Sequence, residues 1–541
     1  MVTGRDLQHI LAVDLGTSGC KTALVTLEGR IGGWAFIAVP LHILPGNGVE
    51  QDPADWWNAF VSSTRKVLAQ TGIPPSNVAA ICCSCQGEGT VAVDRQGRAL
   101  RNAILWADAR GMRHIRREAR GLLNAFGYDA LKLVRWLRLT GGAPSLTGKD
   151  PAAHMLVVRD DFPDVYAATY KFLNVLDYMN LRLTGRFVAT PDSILTSWVT
   201  DNRHPNRIRY DPDLLAASGI DSDKFPELVA CTEVLGELLP QAALELGLPR
   251  STPVVAGAVD TSAAAIGSGA VADFEPHLYI GTSSWIGAHV PFKKTDLLTQ
   301  VASVPCAVPV RYLMIAMQSL AGGALAFLKD RLLFDEAPTS EAEVRSCGQD
   351  EVSRAAQAPK GYELLDQMAA RVPAGSRGLL FAPWFTGERT PVADSHLRAG
   401  LLNLSLEHSR QDVVRAVLEG VALNTRWMLK PVERFLGRHL EELTIAGGGG
   451  ASALWCQIFA DALGLRIRQL QEPMQSNALG AAYIAAVGLG LMTFDKVPSL
   501  TRWKAVYAPQ AAHREVYDRM FDAFLEIHRR MRPLYRKLNA S

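Results

Sequence analysis

The chain has 541 residues, enough at about 100 to 200 residues per domain for two or three domains with cores of their own. Hydrophobic residues at 48% and charged residues at 20% are globular values, which exclude a disordered, collagen-like or coiled-coil chain. Lys plus Arg (56) nearly balance Asp plus Glu (54), so no summed field recruits nucleic acid or an anionic membrane, and a small molecule or a protein is the expected partner.

Eight cysteines are too few and too irregularly spaced for a disulfide framework. Cys82, Cys83 and Cys85 crowd a strand end and read as buried apolar thiols, because Cys-Cys-x-Cys needs a second, distant ligand pair to complete a metal tetrahedron. Residues 1–9 are polar and the Ala/Gly-rich run 478–492 is too short to span a bilayer, so a reduced cytoplasm is the expected location.

In chain order, residues 9–14 form an apolar strand that stops at Asp14, and Gly16-Thr17-Ser18-Gly19 turns the chain into strands at 22–27 and 31–39. Asp52, Pro53 and Asp55 make an N-cap, N1 and N3 pattern, which predicts a helix running towards Gln70. A strand at 78–83 and a hairpin around 90–97 follow. Strand, Gly-Thr-Ser turn and strand recur in LYIGTSSWIGAHV at 278–290, so two related halves are expected. The boundary is placed at 248–253, before a new apolar strand at Val254. Further on, Ser409 and Asp412 cap a helix whose Val414, Val417, Leu418 and Val421 fall at i, i+3, i+4 and i+7. A short buried strand at 443–446 runs into Gly447 to Gly450, and Ser452 caps a helix burying Trp455, Ile458, Phe459 and Ala462. The cluster of Glu341, Glu343 and Arg345 and the run 113–120 lack a periodic apolar partner and read as solvated faces or insertions.

Gly148-Lys149-Asp150 lacks the Ser/Thr and the upstream glycine of a Walker loop, and zinc-protease and nucleophile-elbow patterns are absent. What remains are small-residue hairpin turns, whose backbone N–H groups and hydroxyls can hold an anion. Asp14 ahead of the first turn is suited to Mg²⁺, which bridges phosphates using only one or two carboxylates. Asp260 lies between a buried strand and an Ala/Gly-rich helix, where an acid is costly unless it is used or paired; it reads both as a helix N-cap and as a proton acceptor. Gly447 to Gly450 either lets a flat ligand approach the backbone or is a flexible turn.

Asp14 to Ser18, 255–269 around Asp260, Gly281-Thr282-Ser283, Gly387 to Pro391, Gly447 to Gly450 and the span 400–420 resemble, in order and spacing, the motif series of the FGGY carbohydrate kinases. The resemblance covers residues 10–490 and is closest to the xylulokinase branch, with LNVLDYMNLRLTG at 173–185 as further support. It implies an α/β fold of two actin-like, ribonuclease-H-like domains with a central cleft. The domains are placed at 8–252 on the sugar-binding side and 253–510 on the nucleotide side, with a helical tail at 511–541. It implies transfer of phosphate from ATP, with Mg²⁺, to a sugar hydroxyl, with Asp260 as general base and Asp14 and Asp260 at the metal. Gly16, Thr17, Ser18, Lys21, Gly281, Thr282 and Ser283 are expected at the phosphates, and Gly448, Gly449 and Ser452 near the nucleoside. Gln86, Gly87, Glu88, Trp106, Asp108, Asp260 and Thr261 are expected at the sugar. Gly87-Glu88 replaces the Met-His of the xylulokinases, and Thr261 replaces a common Asn, so the sugar end departs from the branch. A ketopentose resembling xylulose is the favoured acceptor. A glycerol- or erythritol-like polyol, an actin-like ATPase without a sugar acceptor, and a silent sugar sensor are the alternatives. The partner expected is a small sugar or polyol, without nucleic acid or membrane, and a homodimer is left open.

Overall fold

The computed structural model describes residues 9–333 and 361–539, so the cluster Glu341, Glu343 and Arg345 lies outside the described residues. The first half is built on a six-stranded sheet of β1 (His9–Gly16), β2 (Gly19–Thr26), β3 (Ile31–Ala38), β4 (Val78–Cys85), β5 (Val234–Glu237) and β6 (Pro253–Val259), in the order β5-β6-β4-β1-β2-β3. β1, β4 and β6 are parallel, and β2, β3 and β5 run against their neighbours. Alternation along the strands feeds two cores. Leu11, Val13, Leu15, Ile81, Cys83 and Cys85 face Trp56 and Phe60 of α1 (Pro53–Thr71), whereas Ile10, Ala12, Ala80 and Cys82 face the other way. The crowded cysteines are therefore small core side chains on both faces of one strand. Burial pushes the thiols of Cys82, Cys83 and Cys85 upward, which keeps them protonated.

α1 begins as its sequence dictates, with Asp52 accepting from the Ala54 N–H at 2.8 Å, Pro53 at N1, and Gly72 closing it in the left-handed region at φ 65°. The basic run at 113–120 is not simply a solvated face. It forms α2 (Met112–Ala119), which buries His114, Ile115 and Ala119 and sends Arg113 and Arg117 to Asp161 and Asp160. α3 (Val175–Thr184) is capped by a reciprocal Asn174–Asp177 box and packs beside α1.

The strand at 253–259, expected to open the second domain, instead completes the first sheet as β6. The boundary therefore falls later than 252, beyond α4 (Asp260–Gly267). The second half repeats the design with β7 (Pro276–Ile280), β8 (Ser284–Val290), β9 (Thr295–Asp296), β10 (Val301–Pro305), β11 (Tyr312–Gln318), β12 (Glu442–Ala446), β13 (Arg466–Leu470) and β14 (Trp503–Tyr507). Their order, β9-β10-β11-β8-β7-β12-β13-β14, contains the first sheet's pattern strand for strand, with two added strands at one edge. The long α5 (Arg410–Leu436) carries the expected Ser409–Asp412 capping box, and α6 (Ala453–Leu463) starts at Ser452. α7 (Ser476–Gly488), although late in the chain, packs on the first sheet and on α4. The contact is close because neither helix carries a side chain where they meet: a Cβ on Gly267 would lie 1.8 Å from the Ser476 carbonyl oxygen, and one on Gly480 1.9 Å from that of Ala263. The tail is α8 (Arg514–Asn539), whose Tyr517, Met520, Phe524 and Tyr535 join the second core.

Candidate active site

Three adjacent parallel strands of the first sheet end at one edge, and the chemistry-bearing residues follow them. Asp14 pairs in register with Ser84, and Ser84 with Ala258, so Asp14, the turn Gln86-Gly87-Glu88 and Asp260 leave the sheet side by side. The carboxyl ends of parallel strands are where open α/β sheets hold ligands. In the second sheet, Gly281-Thr282-Ser283 follows β7 and Gly447 to Gly450 follows its parallel neighbour β12.

Asp260 is the first residue of α4, and Val259 takes the N-cap place, one residue earlier than the capping reading expects. The Val259 N–H donates to Asp192 Oδ2 at 3.1 Å, and Thr190 Oγ1 donates to Asp192 Oδ1 at 2.6 Å. Asp192 therefore does for α4 what a capping side chain does, from a distant part of the chain. Gly257, at φ 78°, gives β6 a bulge just before this point; a Cβ there would lie 2.1 Å from the Cys83 carbonyl oxygen. Burial pushes the Asp260 carboxyl up to about 7, helped by the charges of Asp14, Glu88 and Asp192 and opposed by a backbone hydrogen bond from Thr261. A carboxyl in that range can accept a proton near neutral pH.

Asp14 is held from two sides. Its Oδ2 accepts from Lys21 Nζ and its Oδ1 from Asn477 Nδ2, each at 3.1 Å, and Lys21 Nζ also donates to the Met474 carbonyl at 2.7 Å. The first turn and the neighbouring wall form one hydrogen-bonded unit. Thr17 Oγ1 donates to Gln86 Oε1 at 2.7 Å and accepts from Trp106 Nε1 at 3.1 Å, while Gln51 Nε2 donates to the Thr17 carbonyl at 2.9 Å. The Thr17 hydroxyl is thereby engaged, whereas a Cβ on Gly16 would meet open space and Ser18 is exposed.

Glu88 is half-buried and adopts φ 62°, a left-handed conformation that a residue with a side chain rarely takes and that marks functional sites. Burial pushes its carboxyl up to about 7, with Arg389 and Lys149 opposing and Asp150 reinforcing the shift. Lys149 and Asp150 are thus near Glu88, although Gly148-Lys149-Asp150 is no nucleotide loop. Arg389 approaches from the second half, on the segment whose Glu388 accepts from Ser319 N–H at 2.8 Å and Asn424 Nδ2 at 2.6 Å.

Asp108 departs from expectation. Its side chain is fully buried; both oxygens take hydrogen bonds from Arg110, and Oδ2 also accepts the Val49 N–H at 2.8 Å. It supports the Trp106 loop and is not open to a ligand. Ser452 is also committed, accepting from Trp455 N–H at 3.0 Å as the α6 cap and bonding to Asp366. In the same wall Gly449 packs under Ile280, Gly448 faces open space, and the Gly281–Thr282 backbone is braced by N–H groups of Ala321 and Gly322. Asp192, Asn477, Lys149 and Tyr279 carry no local sequence signal: the first three are single polar residues far from their partners. The Tyr279 ring, beside Asp14, Asp260 and Asn477, stacks on Trp285 at 4.1 Å.

The chain matches the N-terminal domain of the FGGY family of carbohydrate kinases over residues 9–267 and its C-terminal domain over 278–489. It is 27% identical over 524 residues to a xylulose kinase of Bacillus subtilis, covering 96% of this chain and 97% of that protein. It is 25% identical over 540 residues to an autoinducer-2 kinase of Klebsiella pneumoniae, covering 96% and 94% of the two chains. Its fold matches the ligand-bound xylulose kinase structure from Lactobacillus acidophilus with a TM-score of 0.80, at 22% identity, over 98% of this chain and 100% of that one. The two repeated sheets are those of the actin-like fold. The chain belongs to the FGGY family of carbohydrate kinases, which are ATP-dependent phosphotransferases. No helix among the described residues is long and apolar enough to cross a membrane.

Proposed function

We propose that the chain transfers a phosphoryl group from ATP to a hydroxyl of a ketopentose resembling xylulose, with Asp260 as the base. The observation that carries this reading is Asp260 at the start of α4, buried enough to titrate at about 7 and set beside Asp14 at the ends of adjacent strands. Asp260 takes the proton from the attacking hydroxyl as the oxygen forms its bond to the γ-phosphorus of ATP and the bond from that phosphorus to the ADP oxygen breaks, ADP leaving with the electron pair. Asp192 and the Gly267–Gly480 contact hold α4, and so Asp260, in place. Glu88, an acceptor-only group when ionised, receives hydrogen bonds from sugar hydroxyls, while Trp106 and Gln86 line the same wall. The backbones of Gly16 and of Gly281 to Ser283 take the phosphates from the two halves, and open Gly448 adjoins the nucleoside.

The metal-binding chemistry available is that of two carboxylates, Asp14 and Asp260. These hard oxygen donors fit Mg²⁺, which keeps water and phosphate oxygens for the rest of its shell. Bound there, Mg²⁺ would neutralise charge on the transferring phosphoryl group. Closing of the cleft between the two halves would exclude the water that competes with the sugar as acceptor.

Glu88 in place of the Met-His pair favours a second reading, a polyol acceptor. ADP release with Mg-ATP, measured against D-xylulose, L-xylulose, D-ribulose, L-ribulose, glycerol, erythritol and ribitol with a no-sugar control, separates the two. Stimulation by a ketopentose is expected. Stimulation by a polyol alone would replace the ketopentose reading, and release that no acceptor increases would overturn both.

A further inference from the structure

A cavity of about 450 Å³ shares no residue with the cleft and is lined by Arg138, Arg203, Lys293, Lys294 and Thr295 with two leucines. Its walls come from both halves. Thr295 Oγ1 donates to the Gly141 carbonyl beside it, and nearby Tyr312 Oη donates to the Asn202 carbonyl at 2.8 Å. Four of the lining residues are cations and none is an acid, in a chain whose total charge is only +2. Arg203 is matched by Asp201, at 2.9 and 2.7 Å. Among the described residues the other three have no carboxylate partner: Lys293 Nζ donates to the Arg138 carbonyl at 3.3 Å and Lys294 Nζ to the Phe435 carbonyl at 3.0 Å. Lys293 is half-buried, and burial pushes its ammonium down to about 8, opposed by the nearby charge of Asp201 and reinforced by that of Arg203. Arg138, Arg203 and Lys294 are exposed and Lys293 is partly buried, so four like charges gathered around one opening repel each other, and a bound anion offsets that repulsion. The cavity's volume falls in the range of small-molecule sites.

We propose that this cavity is a second site, which binds a phosphate-bearing small metabolite through Arg138, Lys293 and Lys294 and bridges the two halves outside the cleft. A ligand held there touches residues of both halves and acts as a bridge between them. Such a role is independent of which sugar is phosphorylated.

Calorimetric titration of the full chain, saturated with Mg²⁺ and a non-hydrolysable ATP analogue to fill the phosphate positions of the cleft, tests it. Inorganic phosphate and ribose 5-phosphate are the two probes, at matched ionic strength. The expected result is one saturable event that persists with nucleotide bound and weakens at least about tenfold in the double variant R138Q/K293Q, the loss of charge-assisted hydrogen bonds. Basal turnover of that variant stays unchanged, which shows that it is folded. Tighter binding of ribose 5-phosphate assigns the site to a sugar phosphate, and equal binding to free phosphate. No saturable event with nucleotide present, or one of equal affinity in the variant, overturns the proposal.

Discussion

In the proposed role of base, Asp260 has to be buried enough to hold a proton-accepting carboxyl near neutrality, and that burial acts against stability. Its ordinary value of 3.8 is raised to about 7 in the folded chain. The stability contributed by the protonated carboxyl is therefore fully present below about pH 4 and is lost as pH rises through 7. Asp260→Asn removes the buried charge, so its melting temperature is expected to exceed that of the parent chain at pH 8 and to match it at pH 4. Thermal unfolding of both proteins at the two pH values checks this, and a variant no more stable at pH 8 contradicts the role given to burial. Asp192 acts through Asp260, since it caps α4 and its charge raises the Asp260 carboxyl. Asp192→Asn is expected to lower kcat and to move the acidic limb of the kcat/KM profile to lower pH. A fall in rate without that shift would leave Asp192 with a packing role only.

At the scale of elements, glycines separate backbone contacts within the fold from positions that face open space. Gly480→Val places side-chain atoms in the Ala263 backbone of α4, where overpacking costs about 1–3 kcal/mol, and it should lower both melting temperature and turnover. At Gly448 no atom lies within 4 Å of the place a Cβ would take, and φ is not positive, so Gly448→Ala should keep the melting temperature and raise the KM for ATP. Paired unfolding and kinetic measurements check both, and an unchanged KM for Gly448→Ala removes that glycine from the nucleotide site. The elements themselves are largely legible where the signal is local. Asp52-Pro53, Ser409 with Asp412, and Ser452 each begin the helix their spacing implies. The strand at 253–259 falls in the other half from the one its sequence suggests, because an apolar run does not reveal its partner, and its neighbour β4 is far away along the chain. Asp108 misleads for a similar reason: its motif places it by the cleft, but Arg110 and Val49 take its oxygens.

For the whole molecule, one repeated motif carries the most information. Gly-Thr-Ser at 16–18 and at 281–283 implies duplication, and the eight-stranded second sheet contains the six-strand pattern of the first with two strands added at one edge. Not legible is the way the second half returns to the first. α7 packs on the first sheet and brings Asn477 to Asp14, and Arg389 approaches Glu88, joining residues hundreds of positions apart. The cleft is therefore built by both halves, as a reaction that must exclude water requires. The role of Asp260 in that cleft is tested most directly by sugar-stimulated ADP release from the parent chain and from Asp260→Asn at pH 7.5. Stimulation by a ketopentose is expected in the parent, with a loss of about 10² to 10⁴ in the folded variant, the range for a positioned base. Near-normal sugar-stimulated turnover in Asp260→Asn would contradict it.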